Sequence, residues 1–278
     1  MRSATTAPAA ALALDRITCT FAARPGAKGR TTPRYTAVRD TTLAVAPGEF
    51  VSVVGPTGCG KTTVLNVAAG LLAPSAGNVR IDGVPLSGIN EHAGYMFQAD
   101  ALMPWRNALA NVRAGLEFRG SRKAESTSRA REWLTRVGLA GFEDRFPHQL
   151  SGGMRKRVAL AQMLILDPAL LLMDEPFSAL DVQTRQLMEN ELLDLWSANR
   201  KSVLFITHDL EEAISLSDRV IVLSAGPESH VIGEFAIDLP RPRDVADIRM
   251  TPRFVELHQA IWHQMKAEVI KGYAQRKH

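Results

Sequence analysis

Thiols are scarce. The chain has 278 residues and only two cysteines, Cys19 and Cys59. Cys59 lies inside a glycine-rich motif, so no structural disulfide is expected and a reducing compartment fits. Long apolar runs are also missing: none reaches the ~18 residues that a bilayer-spanning helix needs. The most apolar region, Val158 to Met173, is broken by Asp167-Pro168. Residues 2–13 are rich in Ala and Thr but hold no continuous apolar stretch of the secretory type. Residues 1–14 therefore read as a disordered lead-in. No heptad run and no nucleic-acid module is present, so nucleic acid is not an expected partner.

What is present is ordinary for a globular protein with a real core: 46% hydrophobic and 22% charged residues. The length suits one large α/β domain or two small ones. Net charge is +4, and residues 241–278 hold eight basic against four acidic side chains, a difference of +4 (8 − 4). The whole excess lies in that tail. An acidic surface or anionic lipid nearby would explain it, and so would a solvated tail.

The most informative stretch is Gly55-Pro56-Thr57-Gly58-Cys59-Gly60-Lys61-Thr62-Thr63. It follows Phe50-Val51-Ser52-Val53-Val54, a β-branched run that predicts a buried strand, and precedes a helical pattern from Val64. Strand, glycine-rich turn, Gly-Lys-Thr and helix make a phosphate-binding P-loop in its required context. A polyphosphate needs many converging N–H donors, so the backbone must wrap closely, which only residues without a Cβ permit at Gly58 and Gly60. The helix dipole points at the same anion. Lys61 adds a cation for the β- and γ-phosphates, and the Thr62 hydroxyl suits Mg²⁺.

Around this motif the chain alternates short strands and turns. Ile17–Phe21 and Val38–Ala46 predict strands, with a Gly-, Pro-, Lys- and Arg-rich loop over Ala22–Pro33 between them. Phe21 and Tyr35 are candidates to stack on adenine. Phe21 is favoured because it ends a strand, whereas Tyr35 sits in a looser stretch. Asn78–Asp82 and Gly94–Gln98 predict further strands. Leu102-Met103-Pro104-Trp105-Arg106 mixes turn residues with apolar ones that a free loop would not expose without a partner. Residues 108–140 read as helices of an inserted subdomain.

Three later stretches carry chemistry. Ser151-Gly152-Gly153 opens a helix and offers N–H groups, a hydroxyl and a dipole, a second anion site. On a separate helical insert it cannot easily serve its own P-loop, so a second copy of the protein is expected, each Ser-Gly-Gly closing over the other's ATP. Ala169–Met173 predicts a buried strand ending in Asp174 and Glu175. Asp174 can hold Mg²⁺ through water, and Glu175 is placed as general base for the attacking water. Val203–Thr207 predicts another buried strand, with His208 at its carboxyl end, where open α/β sheets keep ligand groups. Cys59, beside Lys61 and a helix N-terminus, is expected to have a lowered pKa and to be protected from thiol reagents by MgATP. In the tail, Thr251-Pro252 predicts a helix start, with Phe254, Leu257, Ile261 and Met265 on one apolar face; packing on the domain itself is the favoured reading and docking of a partner the other.

In this order and spacing the motifs resemble those of the ATP-binding subunits of ABC transporters over residues 15–235. Gly55 to Thr62 is similar to the Walker A motif, Leu150 to Met154 to the signature, Leu170 to Asp174 to Walker B, and Ser178 to Asp181 to the D-loop. Gln98, Glu175 and His208 stand where the family has its Q-loop glutamine, catalytic glutamate and switch histidine. Met154 departs from the glutamine often found there, while Ser151 and both glycines remain.

The resemblance implies a P-loop NTPase of α/β class, with a RecA-like core sheet, an antiparallel β subdomain and an inserted α-helical subdomain over about 99–165. Residues 236–278 form an extension with an amphipathic helix. It implies ATP and Mg²⁺ as cofactors, with Gln98 also near the metal and Asp181 near the nucleotide. It further implies a head-to-tail homodimer with two ATPs between P-loop and signature. Separate membrane permease subunits would dock near the Q-loop, fed by a periplasmic solute-binding protein. Leu102–Arg106 and Leu239-Pro240-Arg241-Pro242-Arg243 look like the nitrate/sulfonate/taurine-type import ATPases, which places the chain peripherally on the cytoplasmic face of a bacterial inner membrane. The alternative is a soluble, non-transport ABC ATPase; a small-molecule kinase would leave Ser151-Gly152-Gly153 unexplained.

Overall fold

Strands made mostly of apolar residues end up in the middle of a sheet covered on both faces. Phe50–Val54, Leu170–Asp174 and Ser202–Ile206 are such strands, and every residue in them is buried. The computed structural model describes residues 9–22 and 34–275. The loop expected over Ala22–Pro33 therefore lies outside the described residues except for Ala22, as do residues 1–8 of the lead-in. In chain order the elements are β1 (Leu12–Phe21), β2 (Tyr35–Val45), β3 (Phe50–Val54), α1 (Lys61–Ala68), β4 (Ala76–Ile81), β5 (Val84–Pro85) and β6 (Ala93–Met96). Then come α2 (Ala108–Phe118), α3 (Lys123–Arg136), α4 (Gly152–Leu164), β7 (Leu170–Asp174), α5 (Val182–Asn199) and β8 (Ser202–Ile206). The chain closes with α6 (Leu210–Leu216), β9 (Arg219–Leu223), β10 (Val231–Ala236), α7 (Val245–Ile248) and α8 (Pro252–Gln275).

Two sheets result. The core sheet has the order β10-β9-β3-β8-β7-β6, with β10 antiparallel to β9 and the other neighbours parallel. The second sheet, β2-β1-β4-β5, is antiparallel. Period-two alternation sorts the core strands' side chains. Leu170, Leu172, Leu204 and Ile206 join α1 and the antiparallel sheet in one cluster. Leu171, Met173, Val203 and Phe205 point the other way, towards Phe177, Trp196 and Leu160. Helices α2, α3 and α4 build their own core around Val112, Leu134, Val158 and Ile165, as an inserted helical subdomain should.

β1 opens at Leu12, which is buried, so ordered structure begins inside the stretch expected to be a disordered lead. Part of the basic tail is tied into the fold rather than left as a free patch or a solvated tail. Arg243 is buried and donates to the carbonyls of Ser215, Ser217 and Leu239 at 3.1, 2.7 and 3.1 Å. Burial pushes its pKa down to about 10. Arg241 pairs with Asp218 at 2.8 Å and lies over the Trp196 ring. Arg249 pairs with Glu189 at 3.0 Å, and Arg253 with Asp238 at 2.9 Å. With Lys271 3.8 Å from Glu268, five of the eight tail cations have partners within the chain; Arg276 and Lys277 lie outside the described residues. Thr251 Oγ1 accepts from Phe254 N at 3.3 Å, and Phe254, Leu257, Ile261 and Met265 pack on β9 and α6 as expected.

Beneath β8 lies a buried polar knot. Thr207 Oγ1 donates to Glu212 Oε2, and Glu212 and Glu189 each keep one buried oxygen without a hydrogen-bond partner. Burial raises the pKa of Glu212 from 4.5 to about 8. It raises Glu189 from 4.5 to about 7, although Arg249 pulls the other way.

Candidate functional site

The site gathers at the carboxyl ends of β3, β7 and β8, which lie side by side in the sheet. β3 feeds the P-loop. Gly58 and Gly60 have φ of 84° and 95°, the left-handed region, and a Cβ on Gly60 would meet Val38 Cγ1 at 2.7 Å. Lys61 is nearly buried and its Nζ donates to the loop's own carbonyls, Gly55 O at 2.8 Å and Pro56 O at 3.2 Å. Its ammonium thus stands inside the cradle.

β7 delivers the two carboxylates. Asp174 Oδ1 accepts from Thr62 Oγ1 at 3.2 Å. Burial raises the Asp174 pKa most; the Thr62 bond lowers it, the Glu175 charge raises it, and Lys61 lowers it. A hydroxyl and a buried carboxylate converging beside phosphate-binding amides form a hard-oxygen donor set that fits Mg²⁺, which takes few protein ligands and completes its shell from phosphate and water. Glu175 has φ 41°, left-handed for a residue with a Cβ, a strained backbone of the kind found at working sites. Its N–H donates to Ile206 O at 2.9 Å, which ties the turn to β8.

β8 brings His208 to the same place. His208 Nδ1 lies 2.9 Å from Glu175 Oε2, and Gln98 Nε2 reaches that oxygen at 3.5 Å. Gln98, Glu175 and His208, far apart in sequence, meet at one atom. Phe21 and Tyr35 face each other across the β1–β2 ladder and both are exposed. Tyr35 is not in a loose stretch; it opens β2, and its hydroxyl lies 3.6 Å from the position of a Cβ on Gly226, which itself abuts Gly58 O.

Two expected features differ. Cys59 is buried, and a Cβ on Gly55 would sit 2.9 Å from its Sγ. The thiol therefore points inward under the loop, and burial raises its pKa, outweighing the nearby Lys61. The lowered pKa expected from the motif is overturned. Asp181 caps α5, accepting from Thr184 N at 3.0 Å, and among the described residues no hydrogen bond or ion pair joins it to the P-loop. Ser151 is exposed, caps α4 by accepting from Met154 N at 3.2 Å, and makes no such contact either.

A family model described as ABC transporter matches residues 38–178. The chain belongs to the ABC transporter family. It is 41% identical over 263 residues to the taurine import ATP-binding protein TauB of Burkholderia pseudomallei, covering 93% of this chain and 98% of that one. It is 47% identical over 239 residues to an ABC transporter ATP-binding protein of Methanocaldococcus jannaschii, covering 86% and 88%. Among solved structures, a dimeric ATP-binding cassette in a post-hydrolysis state, bound to ADP and Pi, matches with a TM-score of 0.70 and 32% identity. That match covers 82% of this chain and all of the other. This ABC subunit is accordingly an ATP-binding ATPase of the P-loop fold.

The ABC cassette also holds a tie that the motifs did not reveal. Lys156, buried on α4, donates to Gln98 O at 2.7 Å and pairs with Asp100 at 3.1 Å. Arg155 pairs with the same carboxylate at 2.7 Å. The clue in the sequence was only the basic run after the signature, which a solvated helix face would also show. Leu102–Arg106 is pinned from behind: Asn111, fully buried, bonds Met103 N at 2.8 Å and Arg106 O at 2.9 Å. Trp105 is left 74% exposed.

Proposed function

We propose that this ABC subunit hydrolyses ATP to drive import of a small anionic or organic solute of the nitrate, sulfonate or taurine class. It closes head-to-tail with a second copy, so that Ser151-Gly152-Gly153 of each caps the nucleotide in the other's P-loop. The observation that carries the reading is the meeting of Gln98, Glu175 and His208 at one carboxylate oxygen, beside Lys61, Thr62 and Asp174. The amides of residues 55–63 and Lys61 hold the phosphates. Thr62 and Asp174, with Gln98 nearby, are the residues that would hold Mg²⁺, which supplies neutralising charge to the β- and γ-phosphates. Glu175 takes a proton from the water as its oxygen bonds to the γ-phosphorus and the bond to the bridging oxygen breaks, releasing ADP and phosphate. His208 holds Glu175 in place through Nδ1. Phe21, with Tyr35 beside it, offers a ring to adenine. Asp181 caps α5 beside the signature, so in the closed pair it would approach the edge of the partner's nucleotide rather than its own.

The taurine-import name of the 41%-identical relative supports the import direction. Among the described residues no helix is long and apolar enough to cross a membrane. The reading assigns passage to separate permease subunits. The exposed Trp105 and the nearby groove of about 260 Å³, lined by Phe97, Ala101 and Phe118, suit an apolar permease helix. The subunit is then peripheral on the cytoplasmic face, with a periplasmic binding protein delivering solute beyond the membrane.

The test is steady-state ATPase of Glu175→Gln, which is expected to fall by about 10² or more with ATP still bound. Wild-type turnover would remove Glu175 from its role. Co-sedimentation with membranes and release by alkaline wash separates the importer reading from a soluble ABC ATPase.

A further inference from the structure

Helix α8 comes back over the nucleotide site. Glu268 accepts from Ala225 N at 2.7 Å, and a Cβ on Gly272 would lie 3.3 Å from Pro56 Cβ. The helix backbone therefore rests on the shoulder of the P-loop. Between them runs a groove of about 310 Å³. Pro56, Thr57 and His208 form one wall; Trp262, Val269 and Tyr273 form the other. Trp262 and Tyr273 are 41% and 64% exposed, an apolar rim on the edge of a charged site.

The other half-site carries a matching feature. The start of α5 packs against the start of α4. A Cβ on Gly153 would meet Thr184 Cγ2 at 2.7 Å, and one on Gly152 would meet Leu180 Cδ2 at 3.6 Å. The first residue of α5, Val182, is 66% exposed. An apolar side chain is thus displayed close to Ser151-Gly152-Gly153.

We infer that α8 is a wall of the interface between two copies, and that its groove with the P-loop receives the apolar start of α5, led by Val182, from the second copy. This rests on the P-loop-to-signature reading above. If Ser151-Gly152-Gly153 closes over the partner's P-loop, the start of α5 is carried to the rim of that same P-loop, where α8 stands. Two-fold symmetry then makes the contact twice, each copy giving one Val182 and one groove. Val182 and the Trp262 edge leave water together, while the phosphates stay with the polar side of the site. The C-terminal extension thereby becomes part of ATP-driven closure.

Two measurements test this on the full chain carrying Glu175→Gln, so that ATP persists. In the first, protein with Val182→Cys is mixed with protein with Trp262→Cys, MgATP and a short bis-maleimide. A covalent dimer is expected in the mixture, dependent on MgATP and well above either variant alone; Cys19 and Cys59 are buried and give little background. In the second, Val182→Asp is followed by sedimentation. An acid in the first turn of a helix is compatible with its dipole, so the fold is kept. The protein concentration needed for the ATP-driven dimer is expected to rise by about tenfold, the equivalent of about 1.4 kcal/mol. If ATP drives dimerisation but the mixture fails to cross-link, or Val182→Asp dimerises like its parent, α8 is not the receiver and the inference falls while the sandwich reading stands. If Glu175→Gln forms no dimer with ATP at all, the sandwich reading falls and takes this one with it.

Discussion

The two halves of the nucleotide site are furnished very differently. On the P-loop side nearly every polar group already has a neighbour: Lys61 on two carbonyls, Thr62 on Asp174, Glu175 on His208. On the signature side the Ser151 hydroxyl serves only its own helix, at an exposed helix start. One half is organised by its own strands; the other is a capped, exposed helix start. On the sandwich reading proposed above, a single fold is complete as a binder of nucleotide and incomplete as a hydrolase.

Ser151→Asp breaks that contrast most sharply. Aspartate caps a helix about as well as serine, so stability should barely change, but its charge would face the partner's phosphates. ATPase activity is expected to fall by at least about tenfold, with ATP binding to the P-loop retained, as measured by nucleotide titration. Equal turnover would show that the two halves do not meet. Trp105→Ala touches neither half. ATPase of the isolated subunit should stay within about twofold, because surface changes away from caps and cores cost within about 0.5 kcal/mol. Capture by the permease in a pull-down should drop, and unchanged capture would move the dock elsewhere.

A smaller effect concerns the knot under β8. Glu212 and Glu189 hold their protons more tightly folded than unfolded, so the native state binds more protons from about pH 4.5 up to their raised pKa values of about 8 and about 7. Their contribution to stability is full below pH 4.5 and is lost as pH rises towards 8. Glu212→Gln keeps an acceptor for Thr207 and removes one titration. Denaturant melts from pH 5 to 8 should then lose up to about 1.4 kcal/mol of slope per pH unit. An unaltered pH profile would mean that Glu212 is already ionised. Smallest of all, Cys59 should resist thiol reagents in the native protein with or without MgATP, because burial rather than nucleotide protects it. Labelling that MgATP suppresses would restore the reactive thiol that the structure rejects.

The same contrast marks what the sequence could tell. The P-loop, Ser151-Gly152-Gly153, Asp174-Glu175 and His208 could be singled out as candidates because each proposed role needs particular residue types within a few positions, or at the end of a plainly buried strand. Gln98 was legible only through resemblance, since one glutamine at a strand end carries no local demand. Cys59 misled because its neighbours in sequence are cationic while its neighbours in space are the underside of the loop and the core. The basic tail misled for a similar reason: Arg241, Arg243, Arg249 and Arg253 find Asp218, backbone carbonyls, Glu189 and Asp238 across the fold. Antiparallel β10 and short α7 left no periodicity long enough to read.

The anchoring of Gln98 has a mechanical meaning. Its carbonyl is gripped by Lys156, and the adjoining Asp100 is clasped by Arg155 and Lys156, both one turn into the helix that Ser151 begins. These contacts strap the stretch after β6 directly to the first turns of α4. Loss of either cation would loosen the seat of Gln98 and the root of the serine's helix together.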